Sequence, residues 1–190
     1  MSQTTTGTDQ LMTIGAFSRR SRLSLKALRL TRSTRARSPD QQVLTMSRHV
    51  RQPELQDFLM EAMSGLPSML EGTTAKTDWH CFAIYHGVVS ADSDGPVEVC
   101  LPFEGKIEAP AGTQVRIEPA HPEAFTTITL AQCVFPGILE AYDAVRTFID
   151  KNAMEPIGSP REVYFVEHEK VAENDPFCDI AWPASPARRD

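Results

Sequence analysis

A proline-led helix, a short strand, a polar loop and a second strand that stops at proline occur in that order twice in this 190-residue chain. In the first copy Pro53 opens a helix with Leu55, Phe58, Leu59, Ala62, Met63 and Leu66 on one stripe. A strand over residues 82–87 follows, then the acidic loop Asp92-Ser93-Asp94-Gly95 and a strand over residues 97–101 closed by Pro102. In the second copy Pro136 suits a first helical position, and Ile138, Leu139, Tyr142, Val145, Phe148 and Ile149 recur at helical spacing. The turn Gly158-Ser159-Pro160 leads to a strand over residues 161–167, and Cys178, Ile180 and Trp182 alternate in a last strand that Pro183 ends. Pro53 to Pro102 is 102 − 53 = 49 positions and Pro136 to Pro183 is 183 − 136 = 47, with Tyr85 falling where Tyr164 falls. Each copy carries an extra strand before its helix, residues 43–50 and 125–132. The chain therefore contains two strand-helix-strand-strand units, which would form one sheet with two helices on one face.

Charge divides the chain in two. Through Arg51 there are 10 Lys and Arg against 2 acids, and beyond it 9 against 23, which sums to the net −6. The basic arm has a Ser, Thr and Arg run over residues 31–38 that would hold phosphates weakly and read no bases; a solvated tail is the favoured reading. The acidic body is unsuited to DNA and suits cations. With 41% apolar residues, the remaining length buries a core without staples.

Several chemistries lack their residues. Cys81, Cys100, Cys133 and Cys178 have no Cys-x-x-Cys spacing and sit in or beside apolar strands, as reduced structural thiols do. The five histidines lack paired ligands at metal-site spacing, so neither a metal nor a cofactor is expected. No phosphate loop and no Gly-x-Ser-x-Gly elbow is present. No apolar run reaches membrane-spanning length, nor does the basic start continue into a secretory signal, and a cytoplasmic protein is expected.

Glu162 is the residue that invites chemistry. On its strand Glu162, Tyr164 and Val166 share one face, and Val163 and Phe165 share the other. Buried unpaired, the carboxylate would be costly, so it faces solvent, a partner such as Arg161 or Arg146, or a cation in a pocket.

Residues 135–142, the string Pro160-Arg161-Glu162-Val163-Tyr164 and the ending Ile180-Ala181-Trp182-Pro183 resemble the GyrI-like effector-binding domain, over roughly residues 42–184. The resemblance implies an α+β fold in which duplicated strand-helix-strand-strand units form one antiparallel sheet with two helices on one face. It also implies a site for lipophilic, cationic small molecules, with Glu162 among aromatics. Tyr85 and Tyr164 would flank the groove along the pseudo-two-fold axis, and Phe103, Trp182, Trp79 and Tyr142 are candidate walls; core packing is the plainer role for each. Relatives include modules of bacterial regulators, stand-alone binding or gyrase-protecting proteins, and hydrolases. A hydrolase of reactive electrophiles would use Glu162 and Tyr164 catalytically, and a gyrase-inhibitor type would use its acidic surface.

Near the N-terminus, residues 12–18 and 23–30 resemble the opening of a MerR-type helix-turn-helix, which implies Lys26 and Arg29 on a DNA-facing helix. The continuation departs from that pattern at Thr31, and no room remains for a wing or a dimerising helix. The expected organisation is an incomplete reader over residues 1–41, a small-molecule-binding domain over 42–184 and a tail over 185–190.

Overall fold

The structure, a computed structural model, describes residues 40–78 and 80–187. In chain order the elements are β1 (Gln41–Val50), α1 (Gln52–Leu70), β2 (Phe82–Tyr85), β3 (Gly95–Pro102), β4 (Gln114–Glu118), β5 (Glu123–Thr129), α2 (Ile138–Lys151), β6 (Met154–Pro156), β7 (Arg161–Tyr164) and β8 (Pro176–Pro186). All strand pairs are antiparallel, in the order β4-β1-β3-β2-β7-β8-β5, with β6 added to β8. The two units are β1-α1-β2-β3 and β5-α2-β7-β8, joined where β2 pairs β7. The fold is the α+β arrangement expected from the repeat.

Each helix buries one row of residues four apart. In α1 the row is Phe58, Ala62, Leu66 and Leu70; in α2 it is Ala141, Val145 and Ile149, with Ala144 beside it. Both rows lie in one core with Leu44, Ala83, Val97, Val99, Leu101, Ile128, Cys178 and Ile180, so both helices cover the same sheet face. The alanines let the helices approach the sheet closely. The start of α1 is fixed by Pro53 in its first turn and by the Glu54 carboxylate, which accepts the Arg51 N–H at 2.9 Å.

Five boundaries differ from the sequence reading. Pro136 precedes α2 and lies in a turn with a cis Phe135–Pro136 bond; Gly137 is the N-cap. The strand expected over 125–132 stops at Thr129, where Leu130–Cys133 turn as a 3-10 helix, with the Thr129 N–H bonded to Gln132 Oε1 at 2.9 Å. Strand β2 ends at Tyr85, short of Gly87, and β7 ends at Tyr164, short of residue 167. Conversely, Pro183 does not end β8. Its missing N–H falls in the gap between the β7 partner, which stops at Ala181, and the β6 partner, which starts at Ala184; its carbonyl accepts the Ile157 N–H at 2.9 Å. Gly95, at the end of the acidic loop, is required by space, because a Cβ there would lie 2.5 Å from the Val88 carbonyl oxygen.

The sheet is strongly curled. Strands β4 and β5 are its opposite edges, yet only residues 119–122 join them. Six flat strand spacings span about 29 Å, whereas such a link reaches roughly 17 Å. The helix-free face is the concave one, since Glu118 of β4 meets Arg161 of β7 at 2.7 Å although four strand spacings separate their strands. Inside the curve Val43, Phe82, Ile84 and Cys100 make a second small core against Val163.

Candidate functional site

Ala83 of β2 pairs with Glu162 of β7. The repeat offset that carries Tyr85 onto Tyr164, 164 − 85 = 79, also carries Ala83 onto Glu162, 162 − 83 = 79. The pseudo-two-fold axis therefore runs between these two cross-strand neighbours. One copy places a carboxylate there and the other a methyl group, which leaves the carboxylate room. Both tyrosines sit two residues farther along their strands, on the same helix-covered face.

Glu162 is 5% exposed. Its Oε1 accepts a hydrogen bond from the Tyr142 hydroxyl of α2 at 2.8 Å, and its Oε2 accepts one from the Tyr164 hydroxyl. The Tyr85 ring meets the Tyr142 ring edge to face, with centroids 6.3 Å apart. The Tyr85 hydroxyl lies near enough to favour the Glu162 anion, yet it is buried without a partner at hydrogen-bond geometry. Two phenols thus hold the acid directly and a third stands by.

No cation neutralises it among the described residues. Arg161 points to the concave face and pairs with Glu118, while Arg146 pairs with Asp150 at 3.1 Å and lies over the Trp182 ring at 5.8 Å. Neither arginine is the partner that the sequence allowed. Burial pushes the Glu162 carboxyl above the usual glutamate range, and the Tyr164, Tyr142 and Tyr85 hydroxyls pull it down without cancelling that effect. The three phenols are raised in turn, first by burial and then by Glu162. At this spot the protein holds an acid whose neutral form is favoured by burial.

The other expected wall residues divide. Trp182, on β8 beside β7 and on the same face, is half-buried, and its indole N–H donates to the Gly158 carbonyl at 2.9 Å. Phe103 is buried past the end of β3 and lines a cavity of about 1020 Å³ on the concave side, together with Phe82, Val163 and Arg161. Its place is thus at that cavity and not among the partners of Glu162. Trp79, Lys26 and Arg29 lie outside the described residues. Among the described residues no group of three or more His, Cys, Asp and Glu side chains is arranged to hold a metal.

Sequence reasoning missed the ion network of the concave face. Arg116 donates to both Glu98 oxygens, at 2.8 and 2.9 Å, and to Glu118, while His86 meets Glu98 at 2.9 Å. Burial would raise the Glu98 and Glu118 carboxyls, but their cationic partners outweigh it and hold both below the usual range. The available signal was weak: Glu98 alternates with Val97 and Val99, as a charge within a buried strand does.

No protein-family model matches the chain, and no curated protein does. Solved structures do. The C-terminal domain of EcmrR superposes with a TM-score of 0.67 at 17% identity, over 80% of this chain and 96% of that one. EcmrR in a cryo-EM complex with DNA gives the same TM-score and identity, but the match covers 56% of that longer chain. An uncharacterized conserved protein from Listeria innocua superposes with a TM-score of 0.55 at 8% identity, over 79% of this chain and 90% of that one. At these identities the likeness is one of fold. At that level the resemblance to the GyrI-like fold is borne out.

Proposed function

We propose that this chain binds lipophilic organic cations at Glu162, as an effector-binding domain of a MerR-type regulator or a stand-alone derivative, in the cytoplasm. The observation that carries this reading is a carboxylate buried under α2 whose only described hydrogen-bond donors are phenols. A structural carboxylate in a dry core is normally neutralised by Arg or Lys, because an unpaired one is costly. Tyrosine donors stabilise the anion partially and offer their ring faces to a cation. An incoming organic cation would supply the missing charge and bury apolar surface against Tyr85, Tyr142 and Tyr164. With few directional contacts, selectivity among planar cations would be broad.

Entry requires α2 to yield, because Tyr142 closes the site from that helix. The segment before α2 is suited to receive a greasy ligand, with Val134 64% and Phe135 55% exposed. The regulator part of the reading rests on the fold of EcmrR and on the resemblance of residues 12–30 to a MerR-type start.

The test is a fluorescence titration of the protein and of Glu162→Gln with cationic and neutral aromatic dyes, followed by mass analysis of the recovered ligand. Saturable binding of cations that the substitution weakens, with ligand intact, supports the proposal. Binding indifferent to Glu162 overturns it, and a changed ligand mass assigns Glu162 and Tyr164 to hydrolysis instead.

A further inference from the structure

The concave face carries an open cavity of about 1020 Å³, on the side of the sheet away from Glu162. Its floor is the small apolar core at Phe82 and Val163, extended by Phe165, which is 36% exposed. Its rim is acidic: Asp40, Asp78, Glu104, Glu118, Glu123 and Asp179 line it, against Lys76 and Arg161 among the described residues, a balance of 2 − 6 = −4. Part of this charge is met within the fold, since Glu118 pairs with Arg161, Glu123 with His121 and Asp78 with His80, and Asp179 accepts the Thr127 hydroxyl at 2.6 Å. An excess of carboxylate remains, facing an apolar floor. Such a surface takes a ligand with cationic groups and aliphatic stems.

A second feature points the same way. Arg161 is 6% exposed and lines the cavity, yet its Nε–H is buried without an acceptor. A buried charged donor left unmade is costly, and an oxygen brought into the cavity would satisfy it. An occupant with both cationic side chains and carbonyl oxygens meets both demands. A basic peptide has both.

The chain supplies such a peptide beside the cavity. Residues 1–39 contain eight Lys and Arg and one acid. Residue 40, which follows them directly, is part of the cavity wall, and its carboxylate accepts the Ala120 N–H at 3.2 Å. Residues 31–39 read Thr-Arg-Ser-Thr-Arg-Ala-Arg-Ser-Pro. Extended, these nine residues reach about 30 Å, while the three strand spacings from β1 to β7 amount to about 14 Å. The tether holds the local concentration of this peptide at roughly millimolar.

We propose that the concave cavity is the docking site of the chain's own residues 31–39, with Arg32, Arg35 and Arg37 against the carboxylate rim and a main-chain carbonyl on Arg161 Nε. This contact uses the face opposite Glu162 and does not depend on what binds there. A docked arm withholds its arginines from phosphates, so the same residues cannot engage nucleic acid and the groove together.

The test compares amide NMR spectra and hydrogen exchange of the full chain with those of a triple variant, Arg32→Glu, Arg35→Glu, Arg37→Glu, and of a control triple, Arg19→Glu, Arg20→Glu, Arg22→Glu. The first triple is expected to shift the Phe82, Val163 and Glu104 amides and to lower their protection roughly 5-fold. The control leaves them in place. Sodium chloride at about 0.5 M, where the screening length is about 4 Å, reproduces the effect. Adding Asp78→Lys and Glu104→Lys to the first triple restores protection, which separates docking from damage to the fold. Groove amides indifferent to the first triple overturn the proposal, and so does an effect that vanishes on dilution, which would mean that the occupant is another copy.

Discussion

Replacing Glu162 with glutamine should make the protein more stable at neutral pH, although it removes a hydrogen-bonded group from the core. The amide keeps the shape of the carboxyl and accepts from Tyr142, while Tyr164 turns to accept from the new NH2. What is lost is an acid whose folded pKa lies above its unfolded one, chiefly because burial disfavours the charge. The folded state then binds more protons than the unfolded state between the two pKa values, so wild-type stability falls as pH rises through that window. Each unit of displacement amounts to about 1.4 kcal/mol. The stability Glu162 contributes is fully present below the unfolded pKa, near the ordinary glutamate value, and is lost as pH passes the folded one. Burying a poorly compensated group costs about 1–3 kcal/mol, so the variant should gain about 2 kcal/mol above the window and nothing below it. With a urea m-value of about 2 kcal/mol/M, the midpoint at about pH 8 rises by about 1 M and at about pH 4 stays put. Urea melts of both proteins across that range check it. A wild type that outlasts the variant at high pH would refute the reasoning, because the carboxylate would then be a satisfied anion and no candidate for a cation.

The neighbouring phenols separate in the same assay. Tyr142→Phe should cost about 1 kcal/mol through its lost bond to Glu162. Tyr85→Phe, which deletes a hydroxyl without a hydrogen-bond partner, should be neutral or slightly stabilising. On the concave face, Arg116→Ala leaves Glu98, which is 7% exposed, with His86 in place of an arginine and should cost about 2–4 kcal/mol at neutral pH. Because Glu98 and Glu118 have lowered pKa values, the stability they lend is present above the usual glutamate pKa and lost as pH falls, so that penalty should shrink in acid urea melts. Phe58→Ala, at a fully buried site under α1, should cost about 3–5 kcal/mol in the same melts and leave the Glu162 site's pH response unchanged.

The sheet and its helices were legible because duplication, helical stripes and strand alternation are all local patterns, and the equivalence of Tyr85 and Tyr164 in the two units followed from the spacing alone. The boundaries at Pro136 and Pro183 were not. Proline is compatible with a helix start and with a strand end, but which occurs depends on whether a neighbouring strand needs the missing N–H, and β6 and β7 leave Pro183 in the gap between them. Glu162 was found as a charge in an apolar strand, and Tyr142 as part of a helical stripe. Their hydrogen bond depends on how α2 lies over β7, and neither segment encodes that. The curl that brings Glu118 to Arg161 arises from the short link between the sheet's two edges, a relation between distant strands, and so the acidic cavity and the fate of Arg161 stayed hidden.

The central claim is that Glu162 awaits a cation, and it is tested most directly by calorimetric titration with a lipophilic organic cation in buffers of different ionisation enthalpy. If the carboxyl is protonated in the empty site and charged in the filled one, binding releases a proton to the buffer. That release should fade above the folded pKa of Glu162 and be absent in Glu162→Gln, with affinity rising from the ordinary glutamate pKa up to that raised one in the wild type only. Cation binding with no proton release at any pH in that range, and equally tight in the variant, would contradict the account.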